Sequence, residues 1–275
     1  MPLVLVPTPL GNLGDMTRRA LDALRDADVI VAEDTRVARK LLGALDIGPK
    51  ELWSYREQNA AVVTPGILER ARGANVVLVT DAGTPGISDP GSALVAAARA
   101  AEVAVEVLPG PSAVIGVAVL SGFPLRRFVF EGFPPRTSAA RRDAFTRALR
   151  AEATTIWYES PQRIAAALAD LAVVAADAHV FLVREYTKRF EQHVLGTPEA
   201  VAAALSDPVR GEIAFAIAPY VVQAPSPALD LDAEIDALLE RGVSVAEVAR
   251  DLVRRGAGER RALYARASER KSGRR

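Results

Sequence analysis

Cysteine is absent from this 275-residue chain, and histidine occurs at two positions, His179 and His193. The missing thiols exclude a disulfide framework, a thiolate zinc site and a catalytic cysteine. His179 precedes an apolar run and His193 stands in a polar stretch, so neither has the neighbours of a catalytic triad or a histidine-ligated metal. We therefore expect no bound metal.

Motifs of nucleotide and hydrolase chemistry are missing as well. No strand is followed by G-x-G-x-x-G, and neither G-x-x-x-x-G-K-[ST] nor G-x-S-x-G occurs. Their absence leaves no dinucleotide fingerprint and excludes a Walker-type NTPase. No apolar run reaches the roughly 18 residues of a membrane span, and the first residues do not show the charged, apolar and cleavage-site pattern expected of a secretory leader. We expect a cytoplasmic protein that does not enter the membrane.

Short apolar runs alternate with helical patterns in the first half of the chain. The pattern predicts strands at residues 3–6, 29–32, 52–55, 76–80 and 103–108, and helices at 17–26, 37–45, 65–72, 92–101 and 112–120. Strands that are apolar throughout are typical of sheets covered on both faces. We predict an α/β fold with a mainly parallel sheet, in a first domain that spans residues 1–133 and ends on the apolar run at 128–133.

A second α/β block and a helical tail follow. Residues 134–138 have linker chemistry, and helices are predicted at 138–150 and 161–172, with strands at 154–158, 180–184 and 212–218. Prolines 219, 225 and 227 mark a second linker, after which Ser244 and Glu247 form a capping box in a purely helical segment. We predict a second domain at residues 134–222 and a helical module at residues 223–275.

Charge is unevenly placed, although basic and acidic residues balance at 34 each. Residues 250–275 carry a net charge of about +7 and residues 126–150 about +5. These segments are either solvated helix faces or two patches that contact phosphates. The candidate RNA-binding residues are Arg136, Arg141, Arg142, Arg254, Arg255, Arg260 and Arg261.

Four loops that follow predicted strands contain the residues that suggest a ligand site. They lie at residues 7–15, 32–36, 80–91 and 109–113. The loop at 80–91 holds three glycines, two prolines and two aspartates, and it follows the most apolar strand. Ligands of parallel sheets bind beyond the carboxyl ends of the strands, so we interpret these loops as one ligand site.

These loops, quoted as VPTPLGNL, AEDTR, DAGTPGISDPG and PGPSA, resemble those of the ribosomal RNA small subunit methyltransferase I branch of the tetrapyrrole methylase (class III) superfamily. The resemblance continues at residues 130–133, 158–160, 184–185, 187–188 and 211–212, and it covers about residues 3–220. Relatives that modify tetrapyrroles carry Asp-Pro where this chain has Thr84-Pro85, which favours the rRNA branch.

The resemblance implies two α/β domains, the second with a mixed sheet, that hold S-adenosylmethionine in the cleft between them, usually in a homodimer. It implies methylation of the 2′-hydroxyl of a cytidine in the decoding centre of 16S rRNA within the small ribosomal subunit. The residues that it places against the cofactor are Pro7, Thr8, Pro9, Leu10, Asp81, Gly83, Thr84, Ile87, Ser112, Ala113, Tyr158, Glu212 and Ala214.

A ribose hydroxyl is a weak nucleophile, so a base or a cation near the alkoxide would help the transfer. The candidates for this role are Glu33, Asp34, Glu159, Glu185 and Lys188, with Arg36 and Lys188 as contacts of phosphate or alkoxide. We take Asp34, Arg36, Glu185 and Lys188 as the catalytic candidates. Two alternatives remain, a methylase of small corrinoid-like rings and a non-enzymatic binder whose C-terminal helices read nucleic acid.

Overall fold

A computed structural model describes residues 2–220, 231–254 and 257–272, without the side chain of Arg254. The described residues form two compact units, one before and one after residues 221–230. The linker prolines at 225 and 227 and the break at Gly256 lie outside the described residues.

The first sheet of the larger unit has five parallel strands in the order β3-β2-β4-β1-β5. They are β1 (Leu3–Leu5), β2 (Val29–Ala32), β3 (Glu51–Ser54), β4 (Val76–Val79) and β5 (Val105–Val107). The helices between them are α1 (Arg18–Asp26), α2 (Thr35–Ala44), α3 (Ala60–Ala71) and α4 (Ser92–Ala100). Every residue of β2 and β4 is buried because helices cover both faces of the sheet. The predicted parallel α/β sheet is confirmed.

The second sheet is mixed and has the strand order β6-β7-β10-β8-β9. Its strands are β6 (Phe128–Gly132), β7 (Thr154–Glu159), β8 (Val180–Arg184), β9 (Gln192–Gly196) and β10 (Ile213–Ile217). β6 pairs with β7 in parallel and the other pairs are antiparallel. The run at 128–133 therefore starts the second sheet, and its assignment to the first block is corrected. Strand β9 was not predicted from the sequence, and its alternating burial is that of a half-exposed edge strand.

Four helices accompany the second sheet, namely α5 (Ala113–Leu120), α6 (Ser138–Leu149), α7 (Ile164–Val174) and α8 (Pro198–Ala203). Helix α5 packs Val114, Val117 and Ala118 against β7 and β10, so it follows the first sheet in sequence but covers the second. Helix α7 begins at Ile164 rather than at the predicted Pro161, because residues 161–163 form a turn in which the Ser160 carbonyl accepts hydrogen bonds from the amides of Arg163 and Ile164, both at 3.1 Å.

The smaller unit contains three helices within its described residues: α9 (Leu231–Glu240), α10 (Val245–Arg254) and α11 (Arg260–Ser272). Ile235, Val248 and Leu263 are at the centre of a small core of their own. The capping box before α10 is present, since the Ser244 amide donates to Glu247 Oε2 at 3.2 Å. The described residues of this segment form helices, as the sequence predicts.

Candidate active site

The larger unit contains a cavity of about 350 Å³ between its two sheets. Parallel strands end at the same edge of a sheet, which brings the loops after β1, β4 and β5 together on one side of the cavity. The ends of β7, β8 and β10 form the other side. Its lining residues are Leu10, Ala82, Gly83, Thr84, Ile87, Ser88, Asp89, Ser112, Ala113, Phe133, Tyr158, Glu159, Ser160, Pro161, Val183, Tyr186, Glu212, Ile213 and Ala214.

Hydrogen bonds hold the loops of the first sheet against one another. The backbone of Thr8 exchanges two hydrogen bonds with Gly83, at 2.9 and 3.0 Å, and the Thr8 hydroxyl donates to the Thr80 carbonyl at 3.1 Å. The Thr84 hydroxyl donates to the Pro111 carbonyl at 2.9 Å. Gly83 has a φ of +80°, which favours glycine at this crossing point. The loops therefore form one cross-linked wall.

Four of the predicted cofactor residues support this wall without lining the cavity. Thr8 is buried under the loop, and a Cβ added at Gly110 would approach the Pro7 side chain to 2.7 Å. Pro9 and Asp81 also lie off the cavity surface. The other nine line it: Leu10, Gly83, Thr84, Ile87, Ser112, Ala113, Tyr158, Glu212 and Ala214.

Asp34, Arg36 and their neighbours form a charged cluster beside the cavity but do not line it. Asp34 caps α2 and accepts hydrogen bonds from the Arg36 guanidinium at 2.6 to 3.2 Å, which hold the pKa of its carboxyl well below its ordinary value. The Asp34 amide donates to Asp81 at 3.2 Å. Burial raises the pKa of Glu33 and of Asp81; the charge of Asp81 raises that of Glu33 further, and the charge of Asp34 raises that of Asp81.

Glu185, Lys188 and Glu212 form a second charged cluster, on the second sheet. The Lys188 ammonium donates to Glu185 at 3.0 Å and to Glu212 at 2.9 Å. Burial alone would lower the pKa of Lys188, but these two hydrogen bonds raise it overall. Burial likewise opposes ionisation of Glu185, yet the Glu212 amide and Lys188 lower its pKa. Lys188 is therefore a fixed cation, and its stem covers Gly11 of the first loop.

Asp89 lines the cavity and was not among the site residues predicted from the sequence. Burial, followed by the charges of Glu33, Asp81 and Glu212, raises the pKa of its carboxyl to about 7. Burial raises the pKa of the neighbouring Tyr158 to about 12. Phe133, Glu159, Ser160 and Tyr186 also line the cavity. Four of these groups were within reach of sequence reasoning, because Asp89, Phe133, Glu159 and Ser160 lie inside motifs that carried the resemblance.

The predicted RNA-binding arginines occupy different environments. Arg141 is buried, and its guanidinium binds Asp170, so the structure removes it from the candidate RNA-binding surface. Arg142 also binds Asp170 at 2.7 Å but is exposed, as is Arg136. Arg260 and Arg261 are exposed at the start of α11. The Arg254 side chain and Arg255 lie outside the described residues.

Neither a metal cluster nor a membrane helix is found in the part of the chain that the structure describes. No three His, Asp or Glu side chains there are grouped as metal ligands. No described helix is long and apolar enough to cross a membrane.

The fold defines a two-sheet α/β protein with a cavity where the strands of the parallel sheet end. The family profile of the tetrapyrrole (corrin/porphyrin) methylases matches residues 2–202. The chain therefore belongs to the tetrapyrrole methylase family.

Two relatives named "Ribosomal RNA small subunit methyltransferase I" are similar over most of their length. The one from Vibrio cholerae is 47% identical over 72% of this chain and 69% of its own. The one from Synechocystis is 39% identical over 95% of both. Among solved structures, uroporphyrin-III C-methyltransferase from Thermus thermophilus, complexed with S-adenosylhomocysteine, covers 79% of this chain and 97% of its own with a TM-score of 0.55. Its identity of 19% supports the fold alone.

Proposed function

We propose that this protein transfers the methyl group of S-adenosylmethionine to the 2′-hydroxyl of a cytidine in the decoding centre of 16S rRNA. The observation that carries the proposal is the cavity between the sheets, which is built from the loops that resemble the rRNA branch of the family. The names of the relatives support small-subunit rRNA as the substrate.

The cavity has properties that suit this cofactor. Its volume lies in the range of small-molecule sites, and Leu10, Ile87 and Ala214 give it apolar walls for a purine. The unpaired carboxyl of Asp89 favours a ligand that carries positive charge. When bound, the cofactor supplies an activated methyl group, so the protein contributes mainly position and proton transfer. Pro7, Thr8, Pro9 and Asp81 would hold the loops that contact it rather than contact it directly.

The catalytic candidates Asp34, Arg36, Glu185 and Lys188 flank the cavity in this proposal. Lys188 keeps its charge because two carboxylates bind it, which suits a cation near a phosphate or a developing alkoxide. The Arg36 side chain is 78% exposed and is available to a phosphate. Asp34 and Glu185 hold these two cations in place.

RNA would contact two basic regions. Arg136 and Arg142 flank the start of α6, and Arg260 and Arg261 open α11. Arg254 and Arg255 remain predictions for the same function. Loss of each phosphate contact should reduce, by roughly one unit, the slope of the logarithm of RNA affinity against the logarithm of salt concentration. Replacement of Arg260 and Arg261 by alanine should therefore weaken RNA binding and leave cofactor affinity unchanged.

We also expect a cytoplasmic homodimer. Helix α5 exposes Ile115 and Val119, which lie one turn apart and are 53% and 64% exposed. An exposed apolar face of this kind is typical of an interaction surface. Val119→Asp should shift the sedimentation of the protein toward a monomer if two copies meet there.

The test of the activity is transfer of a labelled methyl group from S-adenosylmethionine to isolated small ribosomal subunits. The rRNA is then digested to nucleosides, and we expect the label in 2′-O-methylcytidine. Label on a base, or none in rRNA, would contradict the proposal. Label in a corrinoid instead would support the alternative of a small-ring methylase.

A further inference from the structure

The glycine-rich loop 80–91 contains two carboxylates, Asp81 and Asp89, and of these two Asp89 alone lines the cavity. The loop leaves β4, turns at Gly83 and Gly86, where φ is +80° and +89°, and turns again at Ser88, where φ is +61°. These turns carry the Asp89 side chain into the cavity wall, while Asp81 at the other end of the loop stays outside it.

The carboxylate of Asp89 has no compensating partner within the residues that the structure describes. No hydrogen bond or ion pair holds it there, and the charged groups that act on it are Glu33, Asp81 and Glu212, all acidic. Tyr158 faces it from β7 and is kept neutral by its own burial. An unpartnered carboxylate inside a cavity is costly, so its presence there suggests a functional role.

We propose that Asp89 is the group that takes the proton from the attacking ribose hydroxyl. This inference rests on the proposed function. In the transfer, the hydroxyl oxygen forms its bond to the methyl carbon while the bond from that carbon to sulfur breaks. The electron pair of the broken bond stays on sulfur, and the hydroxyl proton moves to a carboxylate oxygen of Asp89. Every atom and charge is then accounted for, and Asp89 releases its proton to solvent after product leaves.

The other candidate bases are less suited to this step. Hydrogen bonds from Arg36 lower the pKa of Asp34. Despite burial, the Glu212 amide and Lys188 lower the pKa of Glu185, so both carboxylates are weak proton acceptors. Glu159 is bound to Arg163 at 3.0 Å. Asp89 is free of cations, and a base with a pKa near the working pH is the most effective.

The first experiment measures turnover on small ribosomal subunits with Asp89→Asn, Asp89→Glu and an exposed control, Asp22→Asn. We expect Asp89→Asn to lower kcat by roughly 10²–10⁴-fold, since that is the usual effect of losing a general base. Affinity for S-adenosylmethionine, measured by calorimetry, should change far less. Asp89→Glu should restore part of the turnover, and the control should behave as the wild type.

The second readout is pH dependence. Turnover of the wild type should rise with pH through an inflection at or below about 7, because a bound sulfonium lowers the pKa of a nearby carboxyl. Asp89→Asn should lack this inflection. In the ligand-free protein, the raised pKa means that the native state binds this proton more tightly than the unfolded chain. Stability should therefore fall as pH rises from about 4 to 7, and Asp89→Asn should unfold at a higher temperature than the wild type at pH 8.

Each outcome separates the two proposals. If the wild type methylates subunits and Asp89→Asn retains its kcat, the role of Asp89 is overturned while the proposed function stands. A variant that loses cofactor affinity at unchanged kcat also overturns it, because Asp89 is then a ligand of the cofactor. If ligand-free Asp89→Asn and ligand-free wild type unfold at the same temperature at pH 8, the argument from the protonation of Asp89 is contradicted without any assay of activity. A wild type that methylates no rRNA overturns the proposed function, and the role of Asp89 with it.

Discussion

Replacement of Arg141 by alanine distinguishes a structural arginine from an RNA-binding one. Arg141 lies inside the block that carries a net charge of about +5, yet it is 5% exposed. Its guanidinium donates to Asp170 at 2.8 Å through Nε and to the carbonyls of Pro135 and Arg136 at 3.3 and 3.2 Å. Asp170 is itself buried between α6 and α7.

The expected loss of stability follows from this geometry. Removing one partner of a buried ion pair costs about 3–5 kcal/mol, since the other charge stays in the interior. Arg142 and the Ser138 hydroxyl remain bound to Asp170, both at 2.7 Å, so we expect a value at the lower end, about 3 kcal/mol. For a protein of this size the loss corresponds to a fall in Tm of roughly 6–12 °C.

The matched control is Arg136→Ala, five residues away and exposed. It should change the unfolding free energy by less than about 0.5 kcal/mol and lower the salt dependence of RNA binding. Arg141→Ala should show the reverse pattern when denaturation is measured by circular dichroism and RNA binding by titration at several salt concentrations. An Arg141→Ala protein with normal stability and a reduced salt dependence would refute the assignment.

Two further predictions concern glycines near the cavity. Gly86→Val should weaken the binding of S-adenosylmethionine, measured by calorimetry. A side chain at φ +89° costs at least about 1–2 kcal/mol, and the strain reshapes the loop that carries Ile87. Unchanged affinity would count against the cavity as the cofactor site. Gly116→Ala should destabilise the protein by about 0–2 kcal/mol, because its Cβ would approach the Tyr186 ring to 2.5 Å although alanine favours the helix. In a Tyr186→Ala background, Gly116→Ala should be neutral or stabilising. If Gly116→Ala changes stability equally in both backgrounds, a contact between its Cβ and the Tyr186 ring is excluded.

Local sequence patterns determined the parallel sheet and the loops of the site. The runs that became β2 and β4 are apolar at every position, so burial on both faces was the favourable arrangement for them. Parallel pairing then brings the loops after β1, β4 and β5 to one edge, whatever the details of packing. For this reason six of the cofactor residues implied by the resemblance line one side of the cavity, namely Leu10, Gly83, Thr84, Ile87, Ser112 and Ala113.

Tertiary contacts decided what local patterns left open. The run Phe128–Gly132 has no local feature that assigns it to either sheet, and its pairing with β7 places it in the second. Arg141 and Arg142 are adjacent in sequence, but the first turns inward because Asp170, on another helix, compensates its charge there. Asp81 and Asp89 belong to one motif, and the left-handed turns between them put Asp89 alone of the two in the cavity. In each case the energy comes from groups distant along the chain, which is why the burial, partners and pKa of these side chains could be determined only in the folded protein.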